Sequence, residues 1–199
     1  MKKFYVGLIA GGMSLSMIGC GQTATEITKD TLIINANGSM KEVLVDVFDR
    51  VYYDLAEVES MAKSEVDSFN ALEGENSVTY KKTEQDDNSN MVKMYLEYED
   101  AESYAEFNEM SFFYGTIEDA YKEGFDLNVK LRSISDSSEQ IGLDDILSMG
   151  ENHILIMESD YYIEFPTQVM YISSNVIPVE KEREVDTEDD NELVYIITK

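Results

Sequence analysis

The chain holds one cysteine in 199 residues. Whatever it folds into must therefore be held by its own core and not by disulfide bridges. That cysteine, Cys20, closes Met17-Ile18-Gly19-Cys20. It follows a basic start, Met1-Lys2-Lys3, and an uncharged, mostly apolar run from Phe4 to Ile18. Each part has a physical job in export. The lysines stay on the cytoplasmic side, the apolar run enters the bilayer, and small residues near the cut let a peptidase approach. The run is short of the ~20 residues that cross a bilayer as a helix. Gly7, Gly11, Gly12 and Gly19 weaken it further as a stable helix.

This leader resembles a bacterial lipoprotein signal peptide ending in a lipobox. Residues 1–19 are then the signal peptide, and the mature chain begins at Cys20 with lipid, palmitate included, on its thiol. Two or more acyl chains anchor stably where one does not, at ~0.8 kcal/mol per buried methylene. Met17 departs from the leucine usual at that position, and Gly21 stands where a retention signal would place aspartate. The expected location is the cell membrane, lipid-anchored on the extracytoplasmic face. Residues 20–30 read as a short linker and residues 31–199 as one globular domain, long enough for a substantial interior.

Without Lys2 and Lys3, 13 basic residues face 41 acidic ones, a net charge near −28. Such a field repels nucleic acid, which needs lysine and arginine to replace counterions. It also repels anionic headgroups, so the body stands off the membrane that holds its tether. Solubility through self-repulsion is the plain reading of the charge; attraction of a cationic partner or calcium is the sharper one.

The fold class expected is α+β: mainly antiparallel sheet built from hairpins, with one longer helix and two or three short helices in the middle. Thr31–Asn37 and Met40–Asp49 form a hairpin around Asn37-Gly38, because Val43, Val45 and Val47 alternate with Leu44 and Asp46. Asp54 caps a helix with an apolar stripe of Leu55, Val58, Ala62, Val66 and Phe69, ended by Gly74. Val78–Tyr80 and Val92–Tyr98 make a second hairpin with the acidic loop Glu84–Asn90. Asp100 and Thr116 cap short helices, the second running Ile117–Glu123 into Gly124. The last third is strand-rich, with alternation at Leu127-Val129-Leu131 and a short helix near Leu143–Met149. Further strands follow at Ile154–Met157, Tyr161–Phe165, Val169–Ser173, Val176–Val179 and Leu193–Ile197. Pro178 marks an edge strand, and Asp186–Glu192 reads as an acidic loop.

Catalytic motifs are weak. Ser60-Met61-Ala62-Lys63 matches S-x-x-K, a spacing that lets an amine reach a hydroxyl on a helix. Ser173-Ser174-Asn175 resembles the second motif of penicillin-binding proteins and β-lactamases, which use that serine–lysine pairing, but no K-T-G is present and the chain is too short for their fold. His153 is the sole histidine, and no G-x-S-x-G turn accompanies it. One histidine and no free thiol cannot furnish the usual zinc or copper ligands. Calcium suits the oxygen-rich run Asp186–Glu192, with Asp186, Glu188 and Asp190 as weak candidates, but the glycine and spacing of an EF-hand are missing. Tyr52, Tyr53, Phe113 and Tyr114 could line an aromatic groove or simply belong to the core. No cofactor is implied.

Val51-Tyr52-Tyr53-Asp54-Leu55, Tyr104-Ala105-Glu106-Phe107-Asn108, Phe113-Tyr114-Gly115-Thr116, Gly124-Phe125 and Tyr171-Ile172-Ser173-Ser174-Asn175-Val176 carry a further similarity. In these stretches the mature domain resembles a group of uncharacterised lipoproteins of Gram-positive Clostridia. That resemblance implies a surface lipoprotein and carries over no activity and no site residues. The expected role is a non-catalytic, lipid-anchored domain that binds an envelope protein or supports the envelope. A carrier of a small ligand with an aromatic-lined pocket and a carboxylate-dependent hydrolase are the alternatives.

Overall fold

The computed structural model describes residues 27–48, 54–74, 76–86, 89–158, 160–179, 182–188 and 192–199. Strands β1 (Thr31–Ile34) and β2 (Met40–Val47) pair antiparallel, as expected from their alternation. Gly38 takes φ +86° in the turn, where a β-carbon would be strained. Helix α1 (Leu55–Glu73) starts at the expected cap: the Asp54 carboxylate accepts from the Ala56 and Glu57 amides. Strands β3 (Val78–Gln85) and β4 (Met91–Tyr98) form the second hairpin, and β3 runs five residues past Tyr80. Lys82 and Glu84 of that extension work on the sheet's outer face. There the Tyr95 hydroxyl donates to Glu84 at 2.6 Å and the Lys82 ammonium lies 4.4 Å from the Tyr95 ring centroid.

Helix α2 (Ala101–Phe107) is capped by Asp100 and leads into strand β5 (Phe112–Thr116). Helix α3 (Ile117–Glu123) follows, capped by Thr116 and released by Gly124 at φ +89°. Then come β6 (Leu131–Ser133), β7 (Gln140–Ile141), helix α4 (Leu143–Ser148) and β8 (His153–Met157). The chain closes with β9 (Tyr162–Glu164), β10 (Val169–Ile172), β11 (Val176–Pro178), β12 (Glu184–Thr187) and β13 (Val194–Thr198).

The strands make a seven-stranded sheet in the order β11-β12-β9-β1-β2-β4-β3 and a six-stranded sheet in the order β5-β8-β13-β10-β6-β7. The fold is α+β with mainly antiparallel pairing; β1 and β9 run parallel. Leu32, Ile34, Met40, Ile163 and Val185 of the larger sheet meet Leu155, Met157, Val169, Ile172 and Ile196 of the smaller one in one core. The opposite face of the smaller sheet carries Ile154, Ile156 and Ile197, covered by Ile117 and Ala120 of α3 and Ile146 of α4. Strands β8 and β13 are thus buried on both faces, which is why they read as unbroken apolar runs. Each fully buried aliphatic side chain contributes about 1.5–3 kcal/mol, so these two central strands anchor the fold.

Pro178 lies in β11, at a sheet edge as expected. Four other expectations need correction. No strand spans Leu127–Leu131: the Asn128 amide donates to the Asp126 carboxylate at 2.9 Å and not to a neighbouring strand, and pairing starts only at Leu131. Asp186 and Thr187 lie in β12 and not in a loop, because Val185 alternates inward against Ile163. Phe112–Thr116, expected only to end in the Thr116 helix cap, is a strand. Residues 27–30 are part of the folded body. Ile27 is 6% exposed, the Asp30 carboxylate accepts from the Val45 amide at 2.6 Å, and Lys29 pairs with Asp160 and Asp186.

Candidate functional site

Helix α1 carries the expected stripe, but only Val66 is buried among its residues. The helix is clamped at its C-terminal half. Asn70 donates to the Val78 carbonyl at 2.8 Å and accepts from the Val78 amide at 3.0 Å, satisfying the free side of the edge strand β3. Phe69 meets Phe107 of α2 edge-on, with ring centroids 5.3 Å apart. Toward the N-terminus the clamp is lost, and Leu55, Val58 and Ala62 stay half-exposed.

Beneath that overhang lies a groove of ≈ 550 Å³. Leu44 of β2 and Met94 and Leu96 of β4 form its floor. One wall is Val58, Met61, Ala62 and Glu65 of α1; the other is Phe107, Asn108 and Glu109 at the end of α2. Met61 is 65% exposed. Unbranched, polarizable methionine side chains above and on the floor let such a surface adapt to an irregular apolar partner.

The α2 wall ends in a six-to-one turn. Met110 N–H donates to the Ala105 carbonyl at 3.1 Å, and Glu109 N–H to the Glu106 carbonyl at 3.3 Å. Glu109 occupies the left-handed position of this turn, with φ +50°. Gly124 holds the same position after α3, where Phe125 N–H donates to the Ala120 carbonyl at 3.1 Å. Glycine is the residue that conformation favours.

Behind the α2 wall sits a buried carboxyl. Glu42 of β2 is fully inaccessible. Three phenols surround it: Tyr98 donates to Oε2 at 2.5 Å, Tyr161 to Oε1 at 2.7 Å and Tyr104 to Oε1 at 3.3 Å. Asn108 completes the chain by donating to the Tyr98 hydroxyl at 3.3 Å. Burial pushes the Glu42 carboxyl above its ordinary range, against the three phenol hydrogen bonds that favour its charge. Burial beside Glu42 also drives the Tyr98, Tyr104 and Tyr161 phenols far up. The rings interlock edge-on, Tyr98 and Tyr104 at 4.9 Å and Tyr104 tilted against Phe112 at 4.6 Å. The cluster joins the larger sheet, α2 and the segment before β9; Glu42, Tyr98 and Tyr104 are buried, whereas Tyr161 and Asn108 are half-buried at its margin.

Several sequence candidates meet different surroundings. Cys20, Tyr52, Tyr53 and Asp190 lie outside the described residues. Phe113 and Tyr114 do not share a groove, since neighbours on a strand point to opposite faces. Phe113 is 9% exposed and faces Phe125 under α3, whereas Tyr114 stands beside His153, with centroids 5.4 Å apart. Asp186 is held by Lys29 at 2.6 Å, and Glu188 is exposed beyond the strand end. Among the described residues no three histidine, cysteine or acidic side chains come close enough to hold a metal ion. The Lys63 ammonium does not engage Ser60; it pairs with Glu59 at 3.1 Å and lies 5.0 Å from the Tyr80 ring centroid.

Neither the groove nor the Glu42 cluster stood out in the sequence. A weak signal exists for Glu42. It shares strand parity with Met40 and Leu44, so an acidic residue falls on an inward face and demands partners. Among the described residues no helix is long and apolar enough to cross a membrane. No protein-family model matches the chain, and no curated protein or solved structure does either.

Proposed function

We propose that this chain is a lipid-anchored extracytoplasmic domain, non-catalytic, that presents the groove between α1 and α2 to a partner at the cell envelope. The address rests on the leader and Cys20. The binding role rests on one structural observation: α1 buries Val66 alone and leaves a ≈ 550 Å³ apolar groove under its first turns. Exposed apolar surface of this kind, rimmed by polar groups, marks an interaction site.

The test is recovery of a partner with anchored bait on intact cells. Val58→Glu should abolish recovery by placing a charge in the groove, and Tyr121→Glu on α3 should not. Equal recovery with both variants would refute the groove as the contact. A carrier of a small apolar ligand is the second reading, favoured by a volume within the roughly 300–1,000 Å³ of ligand pockets. Native mass spectra showing a bound molecule that Val58→Glu removes would turn the assignment to that reading.

A further inference from the structure

We infer that the groove takes a cationic amphipathic peptide segment, with apolar side chains on the Leu44–Met94 floor and lysine or arginine side chains against Glu65 and Glu109. This deepens the binding role proposed above and rests on it.

The floor is apolar, but the two walls each end in a carboxylate: Glu65 on α1 and Glu109 at the close of α2. Both are exposed, and neither has an ion-pair partner among the described residues. Helix α1 also carries Glu57, Glu59, Asp67 and Glu73 against a single cation, Lys63, which Glu59 already holds. The backbone at Glu109 points the same way. Its left-handed conformation favours glycine, which the equivalent turn after α3 uses at Gly124, away from any groove residue. A carboxylate is thus kept on the groove wall against local backbone preference, and backbone outliers of this kind are found at ligand clamps.

Charge decides between occupants. The net charge of −26 repels an acidic peptide or an anionic lipid surface. A second copy of this chain would set that charge against itself. A neutral apolar ligand would gain nothing from carboxylates on both walls. A segment with one apolar and one basic face satisfies floor and rim together.

The experiment uses the full chain in phosphatidylcholine nanodiscs with carbon-13 methionine methyls. The probe is a synthetic lysine–leucine amphipathic peptide of about 14 residues, roughly four helical turns. The expected result is saturable shifts of the Met61 and Met94 methyls with none at Met157, which is fully buried between the sheets. Glu65→Lys with Glu109→Lys should weaken binding at least about tenfold. Glu118→Lys with Glu123→Lys on α3 should leave it unchanged. Equal weakening by the α3 pair, equal binding of a glutamate–leucine peptide, or silent Met61 and Met94 methyls would overturn the inference. So would Met61 and Met94 shifts that follow protein concentration without peptide, which would assign the groove to a second copy. Failure here with partner recovery still lost in Val58→Glu would leave the binding role standing and change only the partner's chemistry.

Discussion

Glu42 and Asn108, one sealed in the core and the other on the groove wall, are joined through one atom, the hydroxyl oxygen of Tyr98. That oxygen donates its proton to Glu42 at 2.5 Å and accepts from the Asn108 amide at 3.3 Å. The donor order is fixed by the amide: Asn108 fills an acceptor site on Tyr98 and leaves its proton for the carboxylate. The wall of the groove is therefore tied to a buried carboxyl group.

Glu42 should make stability depend on pH with a definite sign. Its folded pKa is raised above the ordinary value of 4.5, so the folded state holds the proton longer than the unfolded one. Stability conferred by the protonated form is complete below about pH 4.5 and falls as pH rises to the folded pKa, then levels. Glu42→Gln should remove this component. The wild-type minus variant difference in urea-unfolding free energy should fall between pH 4.5 and neutrality; a flat difference would contradict the burial argument.

Removing the acceptor altogether is a harsher change. Glu42→Leu leaves the Tyr98, Tyr104 and Tyr161 hydroxyls without their shared partner. Each buried unsatisfied group costs about 1–3 kcal/mol, so the loss should reach at least about 3 kcal/mol by chemical denaturation. Tyr161→Phe, which removes one donor, should cost about 1 kcal/mol.

The two six-to-one turns predict opposite responses to glycine. Glu109→Gly should stabilise the fold by about 1 kcal/mol, because a side chain in the left-handed region is disfavoured by roughly that amount. Gly124→Ala should destabilise it by about 1 kcal/mol through backbone strain alone, since no atom lies within 4 Å of the added carbon. Thermal unfolding of both variants checks the pair.

Asn70 should control how firmly α1 covers the groove. Asn70→Ala breaks both hydrogen bonds to Val78 and should cost about 2 kcal/mol. Amide exchange should quicken in the C-terminal half of α1 and at Val78, while β8 and β13 keep their protection.

Much of the local structure is legible in the sequence because its signals are local. Asp54, Asp100 and Thr116 each cap the helix expected of them, and Gly38 and Gly124 take the left-handed turns. Long-range facts left weaker traces. The parallel contact of β1 with β9 joins residues more than 100 positions apart, and no turn chemistry announces it. The stripe on α1 is real, but periodicity does not say how much of it will be covered. Tyr98, Tyr104 and Tyr161 look like ordinary core aromatics until tertiary structure brings their hydroxyls to Glu42. Phe113 and Tyr114, chosen together by proximity in sequence, are parted by the two-residue period of β5.

The most direct measurement is photocrosslinking in cells from position 61 of the full chain, with position 121 on α3 as the reference. One discrete adduct is expected from position 61, lost in Val58→Glu, and none from position 121. Identical adducts from both positions, or none from position 61, would contradict the groove as the contact.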